Sequence, residues 1–173
     1  GWVLDTTTIH VEPVTAGCIQ DGKRVTVDRR EHPLLLVRGV KDLRTGPINA
    51  ASVGHVKIMP GHSTPFSFGG GRYSFVAVGT AGADVREYEL RLADLDRGTS
   101  QSIVAFHGSK DMNPMAWPPE IIWVGDIDRD GKPDLFADLK MFETPGKWVL
   151  YLSSAAGRGE LVRKAVEFDG VDC

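Results

Sequence analysis

The apolar residues of this 173-residue chain come in short bursts, and that texture excludes most architectures. Runs of strand length occupy residues 24–28, 33–38, 53–59, 72–79, 88–92, 102–106, 121–124, 135–139 and 148–152. Turn formers separate them: Asp21-Gly22, Thr45-Gly46-Pro47, Gly69-Gly70-Gly71, Arg97-Gly98 and Pro145-Gly146. Gly and Pro end regular structure for backbone reasons, so each pair marks where one element must stop. Tyr88, Leu90 and Leu92 alternate with Glu89 and Arg91, the two-residue period of a strand with one wet face. Only residues 159–168 offer a helical stripe, through Leu161, Val162, Ala165 and Val166, and a strand fits there nearly as well. The expected fold is therefore all-β or nearly so. It is a single domain over 1–173, with antiparallel sheets in a sandwich or stacked arrangement and at most one short helix near the C-terminus.

Composition and charge narrow the function. A chain with 42% hydrophobic and 25% charged residues can bury a core, which separates it from disordered sequences. Net charge is -3 and the basic residues are scattered, so nothing here attracts nucleic acid or an anionic membrane in general. No apolar run approaches the roughly 18 residues of a membrane-spanning helix. The chain begins Gly1-Trp2-Val3 without Met, as a processed or trimmed form does. The two cysteines, Cys18 and Cys173, are expected to form a disulfide. A bridge closing so long a loop stabilises by roughly 5 kcal/mol in the chain-entropy model, and it implies an oxidising compartment, periplasm or cell exterior.

The most specific motif is Asp126-Ile127-Asp128-Arg129-Asp130-Gly131-Lys132-Pro133-Asp134. Hard cations such as calcium take six to eight oxygen ligands. Carboxylates at loop positions one, three and five can turn inward around one ion, and Gly131 at position six permits the sharp turn. Lys132 offers its backbone carbonyl, and Asp134 adds a carboxylate directly or through water. Without an ion these four acids repel one another, which makes the ion part of the local fold. Magnesium suits the motif less, since it takes fewer protein ligands in strict octahedral geometry. An EF-hand needs a Glu where this chain has Ala137, and the flanks, Ile121 to Val124 and Leu135-Phe136, are strand-like.

The stretch from Val124 to Leu135 resembles the calcium loop of FG-GAP and VCBS-type repeats, strand–loop–strand units of integrin-like propellers and secreted bacterial proteins. The resemblance covers about residues 121–153, including the Trp148 to Leu152 run as the unit's next strand. It implies calcium as cofactor, with ligands at Asp126, Asp128, Asp130, the carbonyl of Lys132, and Asp134.

Other constellations are weaker. His10, His32, His55, His62 and His107 lack the spacing of a zinc site, and Gly69-Gly70-Gly71 is not followed by a phosphate-binding Lys. Glu87, Glu89 and Glu120 are the types a glycosidase pairs, with nothing in sequence to pair them. Asp94-Leu95-Asp96-Arg97-Gly98 is a faint echo of the acidic loop and reads as a hairpin turn. The Pro-rich segment with Met112, Met115 and Trp117 either docks a partner protein, as large side chains on a stiff loop do, or lets Trp117 fold back as a cap on the sheet. The sequence thus leads us to expect a non-enzymatic, calcium-binding, secreted or periplasmic protein that acts by protein–protein contact. Its concrete form is an inhibitor or immunity-type protein neutralising a secreted toxin or cell-wall hydrolase. A carbohydrate-binding or adhesion module and a hydrolase with an unrecognised site are the alternatives.

Overall fold

The computed structural model describes residues 1–16, 19–28, 34–40, 43–80, 87–108, 117–140 and 146–169. Among them no helix forms, and the strands pair antiparallel throughout. In chain order they are β1 (Trp2–Leu4), β2 (Ile9–Ala16), β3 (Ile19–Val27), β4 (Gly46–Ile48), β5 (Val56–Lys57), β6 (Ser63–Phe68), β7 (Gly71–Gly79), β8 (Glu87–Asp94), β9 (Thr99–His107), β10 (Glu120–Gly125), β11 (Asp134–Asp138), β12 (Lys147–Leu152) and β13 (Arg163–Asp169). They make a four-stranded sheet, β6-β7-β8-β9, and a five-stranded sheet, β13-β12-β11-β10-β5. Two pairs complete the set, β1-β4 and the hairpin β2-β3.

The four-stranded sheet is dry on one side. Phe66, Phe68, Tyr73, Phe75, Tyr88, Leu90 and Leu92 enter the main core, while Val78, Arg91 and their neighbours face outward. That is why β8 alternates cleanly in sequence. Opposite it, the five-stranded sheet contributes Ile121, Val124, Leu135, Ala137, Val149 and Tyr151 to the same core. Buried hydroxyls lock this interior: Tyr88 donates to the Ile58 carbonyl at 2.9 Å, and Tyr151 donates to the Ile103 carbonyl at 3.1 Å.

The central strands of the five-stranded sheet are buried on both faces. Trp123, Phe136, Leu150 and Leu152 point away from the main core into a second cluster, covered by Leu34, Leu35, Val37, Ile48 and others. Two-sided burial explains the unbroken apolar runs at 121–124 and 148–152, which alternation alone does not resolve. A bulge between Ile121 and Trp123 aims Trp123 at the outer cluster and returns Val124 to the inner one.

Three sequence expectations change here, the first being the 53–59 run, of which only Val56–Lys57 pairs as a strand. Residues 34–38 form no strand; Leu34, Leu35 and Val37 are partly buried because they lie over the outer face of the sheet, and not because their backbone is paired. The helical option at 159–168 gives way to β13 on β12. Val162 is fully buried, and its turn is held by Gln101, which accepts from the Leu161 and Val162 amides and donates to the Val162 carbonyl. Tertiary pairing overrides the local stripe. The echo at Asp94 is a hairpin turn, as expected: its carboxylate accepts the Asp96 and Arg97 amides and pairs with the Arg97 guanidinium.

If both faces of the five-stranded sheet are core, Leu150→Ala and Leu90→Ala should each cost about 2–5 kcal/mol, while Val78→Ala at the wet face should stay within about 0.5 kcal/mol. Urea titration of the three variants checks this; a cheap Leu150→Ala would show the outer face to be poorly packed.

Candidate metal centre

The acidic loop joins β10 to β11 at the edge of both cores. Hydrogen bonds between the chain before and after β10 fix its start: the Ala51 amide donates to the Val124 carbonyl and the Asp126 amide to the Asn49 carbonyl, each at 3.0 Å. Asp126 organises the turn. One of its oxygens accepts the Asp130 amide and the other the Gly131 amide, both at 2.9 Å. Asp130 accepts the Lys132 amide at 2.8 Å, and Gly131 turns at a φ of 85°. The backbone thereby folds the carboxylates inward, and ligand oxygens of Asp126, Asp128 and Asp130 lie within 4.8 Å of one another. Among the described residues this is the group of three that could hold a metal ion.

Asp134 is placed differently. It has no exposed surface, and both its oxygens are engaged: Oδ2 accepts the Ile127 amide at 2.8 Å, and Oδ1 accepts the Ser153 amide at 2.8 Å and the Ser153 hydroxyl at 3.0 Å. Burial pushes its pKa up to about 7 against the lowering effect of those amides. It braces the loop against the end of β12. Lys132 keeps its side chain in solvent.

The donor set fits a hard cation. All the gathered ligand atoms are carboxylate oxygens, the amides that hold Asp126 leave lone pairs free, and Asp128 Oδ1 is buried without any hydrogen-bond partner. A buried carboxylate oxygen left unpaired costs free energy that a cation would offset.

Several supports were invisible in sequence. Ser153 lies within 3.0 Å of both Asp130 oxygens as well as Asp134, and the Ser154 hydroxyl donates to Asp128. Arg129 takes a left-handed backbone at a φ of 64°, and its guanidinium donates to the Arg44 and Thr45 carbonyls at 3.1 and 2.9 Å. Gly69, in the β6–β7 turn, sits under the Gly131 carbonyl. The only signal for these was a Ser pair closing β12, the second strand after the loop.

The remaining sequence candidates do not assemble into a second centre among the described residues. His10 pairs with Asp28, His55 with Glu120 and His107 with Glu87, while His62 contacts the Pro60 carbonyl at 3.3 Å. Glu89 is held below the usual carboxylate range by Arg91, so Glu87, Glu89 and Glu120 each have a separate partner. Trp117 is 46% exposed, with the Lys57 ammonium 5.6 Å from its ring centre, and belongs to neither buried cluster. With Lys57, Pro118, Glu120, Asp138 and Lys140 it lines a recess of about 220 Å³ at the edge of the five-stranded sheet. Met112, Met115, His32, Cys18 and Cys173 lie outside the described residues.

A β-carbon on Gly69 would stand 2.7 Å from the Gly131 carbonyl oxygen, at a φ of 56°. Gly70, at 82°, has open space. Gly70→Ala should therefore cost about 1–2 kcal/mol, the left-handed penalty alone, and Gly69→Ala clearly more. Equal denaturation midpoints for the two variants would remove the loop–turn contact. Compared with known proteins, the chain matches no family model, no curated protein and no solved structure.

Proposed function

We propose that this is a calcium-binding, non-enzymatic protein of the periplasm or cell exterior that works by contact with another protein. The observation that carries the reading is the inward convergence of Asp126, Asp128 and Asp130, with an unpartnered buried oxygen on Asp128. In this reading those three acids hold the ion, and the Lys132 carbonyl and the remaining lone pair of Asp134 complete the shell directly or through water. The ion is structural. The loop already rests on three separate parts of the fold through Arg129, Gly69 and Ser153, so neutralising its charge stabilises their junction.

Contact with a partner is supported by Trp117, a large aromatic half in solvent beside Pro118. Tryptophan buries a large area with little loss of conformational freedom, which suits a docking anchor. The concrete form we favour is an inhibitor or immunity-type protein against a secreted toxic enzyme, a role that needs a rigid body and a projecting anchor rather than a catalytic set.

Calcium at 100 times its dissociation constant should raise stability by about 2.7 kcal/mol. Asp128→Ala should abolish that gain and Lys132→Ala should retain it, because only the Lys132 backbone is used. Melting curves in calcium and in excess chelator decide; identical curves for the unsubstituted protein reject the metal site.

Trp117→Ala should weaken a partner recovered by crosslinking in periplasmic extract by about 2 kcal/mol or more. Its own melting temperature should hardly move, since exposed substitutions stay within about 0.5 kcal/mol. Unaltered affinity would place the contact elsewhere.

A further inference from the structure

Among the described residues, the cover over the outer face of the five-stranded sheet leaves an opening near Trp148. Between that face and the β2–β3 hairpin lies a recess of about 860 Å³, inside the ~300–1,000 Å³ range of small-ligand sites. It is lined by Trp148 of the sheet, Val11 and Val25 of the hairpin, and Leu36 and Phe168, with the buried Leu150 behind them. The exposed apolar surface of the molecule concentrates here: Val11 is 54% exposed, Val25 52% and Phe168 63%. Isolated exposed side chains mean little, but several converging on one concavity mark a binding site.

The rim supplies the second half of the ligand's chemistry. Three charged or titratable side chains reach it: His55, Glu167 and Arg38. His55 is paired with Glu120, and Glu167 lies 2.7 Å from each of the Lys147 and Lys164 ammonium groups. Arg38 forms no hydrogen bond or ion pair among the described residues, although the acids Asp128 and Asp130 line the neighbouring cleft with it. Among the described residues, one cation without a direct partner therefore lines the apolar trough, with Asp128 and Asp130 in the cleft beyond it. A polypeptide laid into the trough would bury its amides among aliphatic and aromatic side chains without partners. A single alkyl chain has no such groups to satisfy.

We propose that this recess binds a single-chain fatty carboxylate, its tail lying along Val11, Val25, Trp148 and Phe168 and its head group against Arg38. No acidic-loop residue lines this recess, although Arg38 borders the cleft that Asp128 and Asp130 line, and the proposal does not rest on the calcium reading.

Isothermal titration of the full chain with laurate, below its micellar concentration and in low-calcium buffer, tests this against lauryl alcohol as the neutral control. Laurate should bind once per chain. Arg38→Gln should weaken laurate at least tenfold while changing the alcohol less than twofold. Val25→Asp, at an exposed position where folding survives, should abolish both; circular dichroism confirms the fold of each variant. Absence of saturable laurate binding overturns the proposal, as does an Arg38→Gln effect equal for acid and alcohol. Sedimentation of the ligand-free protein as a dimer that Val25→Asp dissociates also overturns it, because a second copy then covers the recess. So does binding to phosphatidylglycerol vesicles with no binding of free laurate, which would make the surface a membrane contact.

Discussion

A carboxylate with no exposed surface must have hydrogen-bond donors on every side, and Asp134 obtains them from Ile127 and from Ser153. Those donors lie at the start of the acidic loop and just beyond β12, so meeting the needs of one side chain fixes the loop relative to the end of β12. The arrangement has an electrostatic consequence. With the pKa raised from 3.8 to about 7, the stability this group permits is fully present below 3.8 and is lost as pH rises through 7. A divalent cation beside it favours the ionised form and works against that loss. The fold thus keeps an acid where it is costly, beside the Asp126, Asp128 and Asp130 cluster where a cation would relieve the cost.

Around that point the chain uses two kinds of sheet. β8 has one dry face, and its sequence shows which residues are inside: Tyr88, Leu90 and Leu92 are buried while Arg91 is in solvent. β12 is buried on both faces, so Val149 and Tyr151 serve one cluster and Leu150 and Leu152 the other. Its sequence gives the presence of a strand without its orientation. β13 is exposed along its whole length and offers no burial pattern at all, which is why its residues read equally well as helix. β6 was missed because its outward residues are Ser63, Pro65 and Ser67; only Phe66 and Phe68 carry its inner face. Legibility follows from how many faces a strand hides, since hydrophobic periodicity records nothing else.

The acidic loop was legible for a different reason. Its acids and glycine act on one another within nine residues, through local bonds such as Asp126 to the Asp130 and Gly131 amides. Ser153, Ser154, Gly69 and Arg129 act on the loop, or from it, across long sequence separations, and no spacing rule reports such contacts. Asp134 is instructive, because its position in the motif suggested a ligand whereas the structure commits both of its oxygens to amides first. A motif gives the type of side chain at a position and leaves open what competes for it.

These long-range contacts change what an ion in the loop would act upon. Arg129 reaches the carbonyls beside β4, Gly131 lies on the β6–β7 turn, and Ser153 follows β12, so the loop touches the β1–β4 pair, the four-stranded sheet and the five-stranded sheet together. In an isolated hairpin, relieving carboxylate repulsion would stiffen one turn. Here the same relief would act on the left-handed Arg129, whose backbone costs about 1–2 kcal/mol and persists because its guanidinium is held on two carbonyls. Loosening the loop releases that strain and frees the carbonyls of residues 44 and 45 at once. The loop thus ties three sheets together, and an ion bound in it would act on the global unfolding transition rather than on local fraying.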